Sequence, residues 1–566
     1  MSNKPMPIGV DDFEKLITRG YYYVDKTLLI KEILDKKGDV NLFTRPRRFG
    51  KTLNMSMLQY FFENSETLDN SSKESGNLFD GLNIMQEGEK YLVHMGKYPV
   101  ISLSLKSAKQ PVWNSALYKL RRELASEFRR HDMVLENDKL TESEKKRYIQ
   151  MRDEEASYDD CSDALKFLSQ CLHKVYERKV IILIDEYDVP LENAYERGFY
   201  GDMLDFIRSL FESALKTNGS LEFAVITGCL RISKESIFTG MNNLKIISIL
   251  DEKYDEYFGF TELEVKKLCQ DYDIEQKYEI IREWYNGYIF GNANVYNPWS
   301  VIQFVDDLKE NIERYPISYW ANTSSNSIVR KLIEQANEDV KGEIEALIEG
   351  KALEKPIHED ITYDEIDKNM DNLWNFMFFT GYFRKVHAWM DERTHQQFVK
   401  LTIPNEEVRY IFRNKILTWF QEKIEERDRT RLFNAIINKA PKTVEEELED
   451  MLLETISFND AYESFYHGFI AGVLTGMKGY MVKSNREGGK RRSDIFIKPV
   501  TRRKAAYVIE FKIAEKFNQL EKRADDALQQ IEERGYVREL NDDGYETVIR
   551  YGISFLGKDC MVKMAE

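Results

Sequence analysis

Near the N-terminus, an apolar run, a short basic loop and an amphipathic segment follow one another, and this order restricts the fold more than any other feature. The apolar run Val40–Phe43 predicts a buried strand, and the spacing of Leu58, Phe61 and Phe62 predicts a helix. The loop between them ends in Gly50-Lys51-Thr52. A strand, a tight loop and a helix that begins at Gly-Lys-Thr form the usual cradle for the phosphates of a nucleotide.

The chemistry of this loop suits a triphosphate. Amide groups at a helix N-terminus attract anions, the amine of Lys51 adds a positive charge, and the hydroxyl of Thr52 can bind Mg²⁺. The predicted nucleotide-binding residues of the loop are Arg48, Phe49, Gly50, Lys51 and Thr52. The usual spacing has a glycine where this chain has Arg45, which leaves open how tightly a nucleotide binds and how fast it is hydrolysed.

A second apolar run supports the same interpretation. Residues Val180–Ile184 form an unbroken β-branched and leucine run, typical of a buried parallel strand, and end in Asp185-Glu186. At such a strand end in P-loop ATPases, the first carboxylate binds the Mg²⁺ shell and the second polarises the attacking water. We therefore expect Asp185 to bind metal and Glu186 to act as the catalytic base. An apolar strand followed by a solvated acidic turn is the alternative.

Composition limits the class of protein. The chain has 566 residues, enough for three or four domains, and its 42% apolar and 13% aromatic residues can fill several cores. The net charge of −16 argues against a surface that binds long duplexes non-specifically, although it permits a local basic groove. Five dispersed cysteines fit a reducing compartment. Without a recognisable signal peptide or membrane-length apolar run, we expect a soluble cytoplasmic protein with no membrane partner.

Pattern changes along the chain predict three domains. Residues 1–250 alternate strand and helix patterns, which indicates an α/β domain with the parallel sheet of a P-loop NTPase. Residues 251–456 have a mostly helical and aromatic-rich pattern and are predicted to form a lid or linker. Residues 457–566 have the order helix, three strands, helix, strand, which predicts an αβββαβ core like that of restriction endonucleases.

The third predicted domain carries a second set of charged residues. Glu510 and Lys512 lie two residues apart on one predicted strand, so they share a face. Asp494 opens the preceding strand and can join Glu510 in binding a divalent cation, while Lys512 orients water or stabilises negative charge. Glu463, on the preceding helix, is a candidate further ligand. An ordinary Glu–Lys pair at a sheet edge is the alternative.

Basic residues are dense around this set. They are Lys483, Arg486, Lys490, Arg491, Arg492, Lys498, Arg502, Arg503 and Lys504. In an acidic chain, such a patch fits contacts with the phosphates of a nucleic acid. A solvated hairpin is the alternative.

Taken together, the motifs resemble two known families. The segments similar to the bacterial AAA-ATPase-like family are Tyr23–Thr27, Arg45–Thr52, Asp185–Asp188, Thr227–Lys234 and Tyr296–Ser300. The segments similar to the PD-(D/E)XK nuclease superfamily are Ser484–Glu487, Arg492–Asp494 and Glu510–Lys512.

The resemblance implies ATP and Mg²⁺ as cofactors. It implies that Lys51 binds phosphate, that Thr52 and Asp185 bind the metal, and that Glu186 activates water. A further strand is predicted to end at Thr227, and in this region the resemblance implies that Thr227 or Arg231 senses the terminal phosphate, although Arg231 could equally be a surface arginine. For the nuclease, it implies Asp494, Glu510 and Lys512 as the catalytic core, with Asp494 and Glu510 as metal ligands.

The sequence therefore predicts an ATP-binding protein, expected to be an ATPase, with a metal-dependent nuclease domain whose site depends on the nucleotide state. DNA is favoured over RNA as the partner, and a homo-oligomer is compatible with the sequence. Two alternatives stay open. The C-terminal domain could bind nucleic acid or a partner without cleavage, as part of a nucleotide-dependent switch, or the ATPase part could be a degenerate structural domain.

Overall fold

The computed structural model describes most of the chain, and its contacts separate two compact units. The described residues are 4–64, 78–230, 237–238, 241–320, 338–359, 363, 369–414, 428–453, 463–484 and 495–566. The first unit comprises residues 1–328 and 352–410, and the second comprises residues 329–351 and 411–566. The domain boundaries near residues 250 and 456 stay predictions.

A parallel sheet of five strands forms the centre of the first unit and confirms the predicted α/β class. The strands are β1 (Val40–Thr44), β2 (Val100–Ser104), β3 (Val180–Asp185), β4 (Leu221–Gly228) and β5 (Leu244–Ile247). Their order is β2-β3-β4-β1-β5, so β4 lies between the strand that precedes the loop and the strand that ends in Asp185. β3 is buried along its whole length, as its apolar sequence requires.

Of the helices described in this region, two precede β1 and the others lie in the connections β1 to β2, β2 to β3 and β3 to β4, as parallel neighbours require. They are α1 (Phe13–Thr18), α2 (Leu28–Lys36), α3 (Lys51–Phe62), α4 (Glu89–Leu92), α5 (Trp113–Arg130), α6 (Glu142–Arg152), α7 (Tyr158–Ser162), α8 (Ala164–Tyr176), α9 (Val189–Arg197) and α10 (Tyr200–Leu215). The helix predicted after the loop is α3, which buries Leu58, Phe61 and Phe62.

The middle of the chain is helical, as predicted, but it also contains two small sheets. The helices are α11 (Glu262–Asp271), α12 (Tyr278–Tyr285), α13 (Pro298–Glu310), α14 (Glu338–Ile348) and α15 (Met370–Phe379). The strands are β6 (Phe260–Thr261), β7 (Tyr288–Phe290), β8 (Ala293–Tyr296), β9 (Leu353–Ile357), β10 (Arg384–Met390) and β11 (Gln397–Thr402). They pair in the orders β6-β8-β7 and β10-β11-β9. β6 to β8 are too short for a period of two to show in the sequence.

The second unit contains a five-stranded mixed sheet. Its elements are α16 (Thr430–Ile437), α17 (Pro441–Leu453), α18 (Glu463–Leu474), β12 (Tyr480–Ser484), β13 (Ile495–Pro499), β14 (Ala506–Ile513), α19 (Leu520–Glu533), α20 (Tyr536–Asp542), β15 (Val548–Leu556) and β16 (Asp559–Ala565). The order β12-β13-β14-β15-β16 confirms the predicted αβββαβ core, to which α20 and the edge strand β16 are added. β14 and β15 are parallel, and the other neighbours are antiparallel.

A buried carboxylate joins separate segments of the first unit. Glu407 is fully buried, and both of its oxygens accept hydrogen bonds from the Ser300 hydroxyl, at 2.9 and 2.8 Å. The backbone amide of Trp320 donates to the same carboxylate at 2.9 Å. Burial raises the pKa of Glu407 from 4.5 to about 7, and the hydrogen bonds from these donors, which favour the charged form, offset only part of this rise.

We predict that Glu407→Gln stabilises the protein relative to the wild type by an amount that grows as pH rises from about 4.5 to just above 7. The pKa of Glu407 is higher in the folded protein than in the unfolded chain, so the stability that its neutral form contributes is fully present below pH 4.5 and is lost as pH rises through about 7. This loss lowers the free energy of unfolding by about 3 kcal/mol, at about 1.4 kcal/mol per pH unit. Thermal unfolding at about pH 5 and about pH 8 should show the variant's advantage growing with pH, whereas the exposed control Glu392→Gln should show no such growth. A pH-independent difference for Glu407→Gln would contradict the prediction.

Candidate nucleotide and nuclease sites

The backbone between β1 and α3 is arranged to bind an anion. Arg48 and Gly50 both have left-handed conformations, with φ of 73° and 80°. Within the described residues, the backbone amides of residues 47–53 donate no hydrogen bond to another protein group, and the N-cap Gly50 has no side chain that could accept one. Consecutive free amides at a turn and a helix start form a concave anion site.

The side chain of Lys51 lies beneath this loop. It is 7% exposed, and its amine donates to the carbonyl oxygens of Arg45 and Pro46, both at 2.9 Å. The Cys229 Sγ atom is a further contact at 3.6 Å. These acceptors are neutral, so the charge of Lys51 has no carboxylate partner in the described part of the chain. An anion at the loop would supply one.

Asp185 brings together groups from three neighbouring elements. The hydroxyl of Thr52, at the start of α3, donates to Asp185 Oδ2 at 2.7 Å. The hydroxyl of Thr227 on β4 donates to Asp185 Oδ1, and the amide of Glu186 donates to the same oxygen at 3.0 Å. A hydroxyl and a carboxylate in contact beside a phosphate loop fit Mg²⁺, which takes oxygen ligands and completes its shell with water and phosphate oxygens.

Glu186 follows Asp185 in a strained conformation. Its φ of 54° is left-handed, which costs a non-glycine residue about 1–2 kcal/mol. Burial, together with the negative charge of Asp185, raises the pKa of Glu186. A carboxylate with a raised pKa is a better proton acceptor, and strained residues are concentrated at functional sites.

A cleft of about 530 Å³ opens over the loop. This volume is in the usual range for small-molecule sites, roughly 300–1,000 Å³. Its charged wall includes Arg48, Lys51, Lys106, Lys109 and Glu186. Its apolar and aromatic wall includes Val24, Tyr257, Phe260, Trp299 and Ile302. Such a combination suits a ligand with a polyanionic part and a planar apolar part.

In the second unit, β14 presents the predicted pair on one face. Glu510 is fully buried, and Lys512 Nζ lies 3.8 Å from its Oε1. Tyr507, Ile509 and Phe511 point into the core on the opposite face, which confirms the alternation inferred from the sequence. The side-chain amide of Gln530, on α19, donates to Glu510 Oε1.

Two segments of the chain, each containing one of the candidate sites, match known protein families. Residues 7–238 match the family described as predicted AAA-ATPase, and residues 461–565 match the PD-(D/E)XK nuclease superfamily. The two matches confirm the predicted fusion of one segment similar to the AAA-ATPase family with another similar to the PD-(D/E)XK nuclease superfamily. An uncharacterized protein in the vnfD 5′ region of Azotobacter chroococcum mcd 1 is 28% identical over 305 residues, which is 53% of this chain and 52% of that protein. The fusion protein thus matches about half the length of that relative.

The AAA-ATPase segment departs from the usual loop spacing at Arg45, and the structure shows why the arginine fits. Arg45 is fully buried and is not part of the cleft wall. Its guanidinium donates to the carbonyls of Thr44 and Ile247, at 2.9 and 3.0 Å, and lies over the rings of Phe258 and Phe290. The side chain therefore joins the ends of β1 and β5 and leaves the anion site open.

Phe49 contributes to the loop in a different way from the residues beside it. Its side chain is buried, and the centroid of its ring lies 4.9 Å from that of Tyr288 and 5.1 Å from that of Phe290. These contacts fix the loop to β7. Phe49 thus offers mainly its backbone amide to a ligand.

Several predicted residues of the fusion protein lie outside the described part of the structure. They are Arg231, Asp494 and, in the basic patch, Arg486, Lys490, Arg491 and Arg492. Glu463 begins α18, but its side chain is not described. Among the described residues, no three His, Cys, Asp or Glu side chains are close enough to share a metal ion. The nuclease metal site, with Asp494 and Glu510 as ligands, stays a prediction.

The described basic residues of the nuclease segment are mostly at the surface. Lys483, Arg502, Arg503 and Lys504 are exposed. Lys498 differs, because it is ion-paired with Asp543 at 2.7 Å. In the described parts of the fusion protein, no helix combines the length and apolarity needed to cross a bilayer.

Sequence reasoning missed two residues at these sites. Gln530 was detectable as a polar residue on the face of α19 that also carries Ala527 and Ile531, both buried. A polar group on the buried face of a helix usually has a partner. Trp299, whose ring contacts the guanidinium of Arg48, belongs to the Tyr296–Ser300 segment named above. The sequence does not indicate that this segment packs beside the loop between β1 and α3.

Proposed function

We propose that the first unit binds ATP with Mg²⁺ and hydrolyses it, and that the second unit hydrolyses phosphodiester bonds in nucleic acid with a divalent metal. The contact between Thr52 and Asp185, beneath a loop of free amides, is the observation that carries the ATP assignment. The family matches support both assignments at the level of class.

Each residue of the nucleotide site has a distinct proposed role. The amides of residues 47–53 and the amine of Lys51 bind the phosphates. Thr52 and Asp185 would hold Mg²⁺, which supplies charge neutralisation at the phosphates when bound. Glu186 orients the attacking water and accepts its proton, and its raised pKa suits this role. Thr227 holds Asp185 in place through its hydrogen bond.

The binding assignment is tested by two substitutions at Thr52. Thr52→Ala removes the hydroxyl and should weaken Mg²⁺-dependent binding of a fluorescent ATP analogue by about tenfold or more. Thr52→Ser keeps the hydroxyl and should restore binding to near the wild-type level. Equal binding by all three proteins, or binding that ignores Mg²⁺, would contradict the proposed role of Thr52.

The nuclease assignment draws on the buried charge on β14. Burying the carboxylate of Glu510 beside Lys512 costs stability, and a function for the pair would explain why the protein keeps these residues. In the proposed reaction, Glu510 and Asp494 would hold the metal, Lys512 stabilises negative charge on the phosphate, and Gln530 fixes the orientation of Glu510. This cost favours cleavage over the alternative of nucleic-acid binding alone.

Control of the nuclease by nucleotide state is a further part of the proposal. It is tested by measuring cleavage by the full chain with ATP, with ADP and without nucleotide. Cleavage rates that differ among the three conditions would support control, and equal rates would contradict it. DNA and RNA substrates in the same assay would test the preference for DNA.

A further inference from the structure

We propose that Arg48 binds the terminal phosphate of the nucleotide, and that its guanidinium rests on the ring of Trp299 until a triphosphate enters the cleft. This inference rests on the proposed ATP site and goes beyond it, because it names the residue that distinguishes ATP from ADP. It also gives a role to the Tyr296–Ser300 segment, which the ATP assignment does not use.

The cations of the loop differ in what they contact. Arg45 donates to carbonyl groups away from the cleft. Arg47 is ion-paired with Glu192. Lys51 is held by two carbonyl oxygens of the loop. In the described structure, Arg48 forms no ion pair, and its contact is with the face of Trp299, where the guanidinium carbon lies 4.2 Å from the ring centroid.

The position of Arg48 suits the terminal phosphate in particular. Its side chain lines the cleft, as does Glu186, and the negative charge of Glu186 acts on the guanidinium. If Glu186 orients the attacking water, then the phosphate under attack lies beside Glu186 and hence near Arg48. A guanidinium has a planar fork of donors that matches phosphate oxygens, so charge-assisted hydrogen bonds replace the weaker contact with the ring.

Trp299 is a fixed platform for this side chain. It lies in the first turn of α13, where its backbone amide donates to the side-chain oxygen of the N-cap Asn297 at 3.0 Å. The indole also lines the cleft. Departure of the guanidinium from its face should therefore change the fluorescence of Trp299.

The proposal is tested by titrating the full chain with ATP and with ADP, in the presence of Mg²⁺. Arg48→Ala should weaken ATP binding by about tenfold or more and leave ADP binding nearly unchanged. Wild-type protein should show a tryptophan emission change with ATP that ADP does not produce, and Trp299→Phe should remove it. Arg122→Ala is the matched control, since this arginine stacks on Tyr118 outside the cleft.

The outcomes separate this proposal from the ATP assignment. If Arg48→Ala weakens ATP and ADP binding equally, or weakens neither, the proposal is overturned and the ATP site stands. If the emission change persists in Trp299→Phe, the resting contact is overturned. If wild-type protein binds neither nucleotide, the ATP assignment itself fails, and the proposal fails with it.

Discussion

Lys51→Ala is expected to weaken ATP binding by at least about a hundredfold, while the first unit stays folded. In the structure the Lys51 amine contacts only neutral groups in the described residues, the carbonyl oxygens of Arg45 and Pro46 and the thiol of Cys229. Its charge is therefore available to the phosphates at a position beneath the loop. Equilibrium titration with a fluorescent ATP analogue measures the loss.

Two controls make this result specific. Lys216→Ala removes a lysine of the same unit that lies outside the cleft, ion-paired with Glu212 at 3.1 Å, and should leave binding unchanged. Circular dichroism should show the same thermal transition for Lys51→Ala as for the wild type within a few degrees. Full nucleotide binding by a folded Lys51→Ala protein would contradict the proposed role of Lys51, whereas a wild-type protein that binds no nucleotide would favour the degenerate-domain alternative.

Glu510→Gln and Lys512→Ala should each reduce metal-dependent cleavage of nucleic acid by at least about a hundredfold. Their effects on stability should differ. Lys512→Ala removes a cation beside the buried carboxylate of Glu510 and should lower the stability of the second unit. Glu510→Gln removes the buried charge and should leave the second unit at least as stable as the wild type.

The Glu510→Gln variant therefore distinguishes chemistry from folding. Its cleavage of a labelled DNA, its thermal unfolding and its DNA binding should be measured in parallel, with Lys522→Ala as an exposed control on α19. Loss of cleavage with unchanged stability supports a catalytic Glu510. Undiminished cleavage in this variant would end the nuclease assignment, and DNA binding by a wild-type protein that never cleaves would favour the binding-only alternative.

The fold was largely predictable because its main strands are unbroken apolar runs. Val180–Ile184 is buried on both faces, and a strand in that environment must consist almost entirely of apolar residues. The alternation around Glu510 was readable for the same reason, since β14 has a core face that cannot accept charge. Short strands such as β6 carry too few residues for any period and were missed.

The contacts that complete the sites were less predictable, because they depend on strand order and on long-range packing. The sequence pairs Thr52 with Asp185 only by resemblance, whereas the insertion of β4 between β1 and β3 adds the hydroxyl of Thr227 to the same carboxylate. The direction of the Arg45 side chain, away from the cleft, depends on carbonyl groups far along the chain, such as that of Ile247. No local pattern encodes such a contact.

Equilibrium dialysis of the full chain against radiolabelled ATP, with Mg²⁺ and then with excess EDTA, tests most directly whether the loop of residues 45–52 is a nucleotide site. We expect one ATP per chain and a clear loss of affinity when Mg²⁺ is removed, because Thr52 and Asp185 can then no longer act through the metal. No ATP retained in either condition, at concentrations up to about 1 mM, would contradict the assignment.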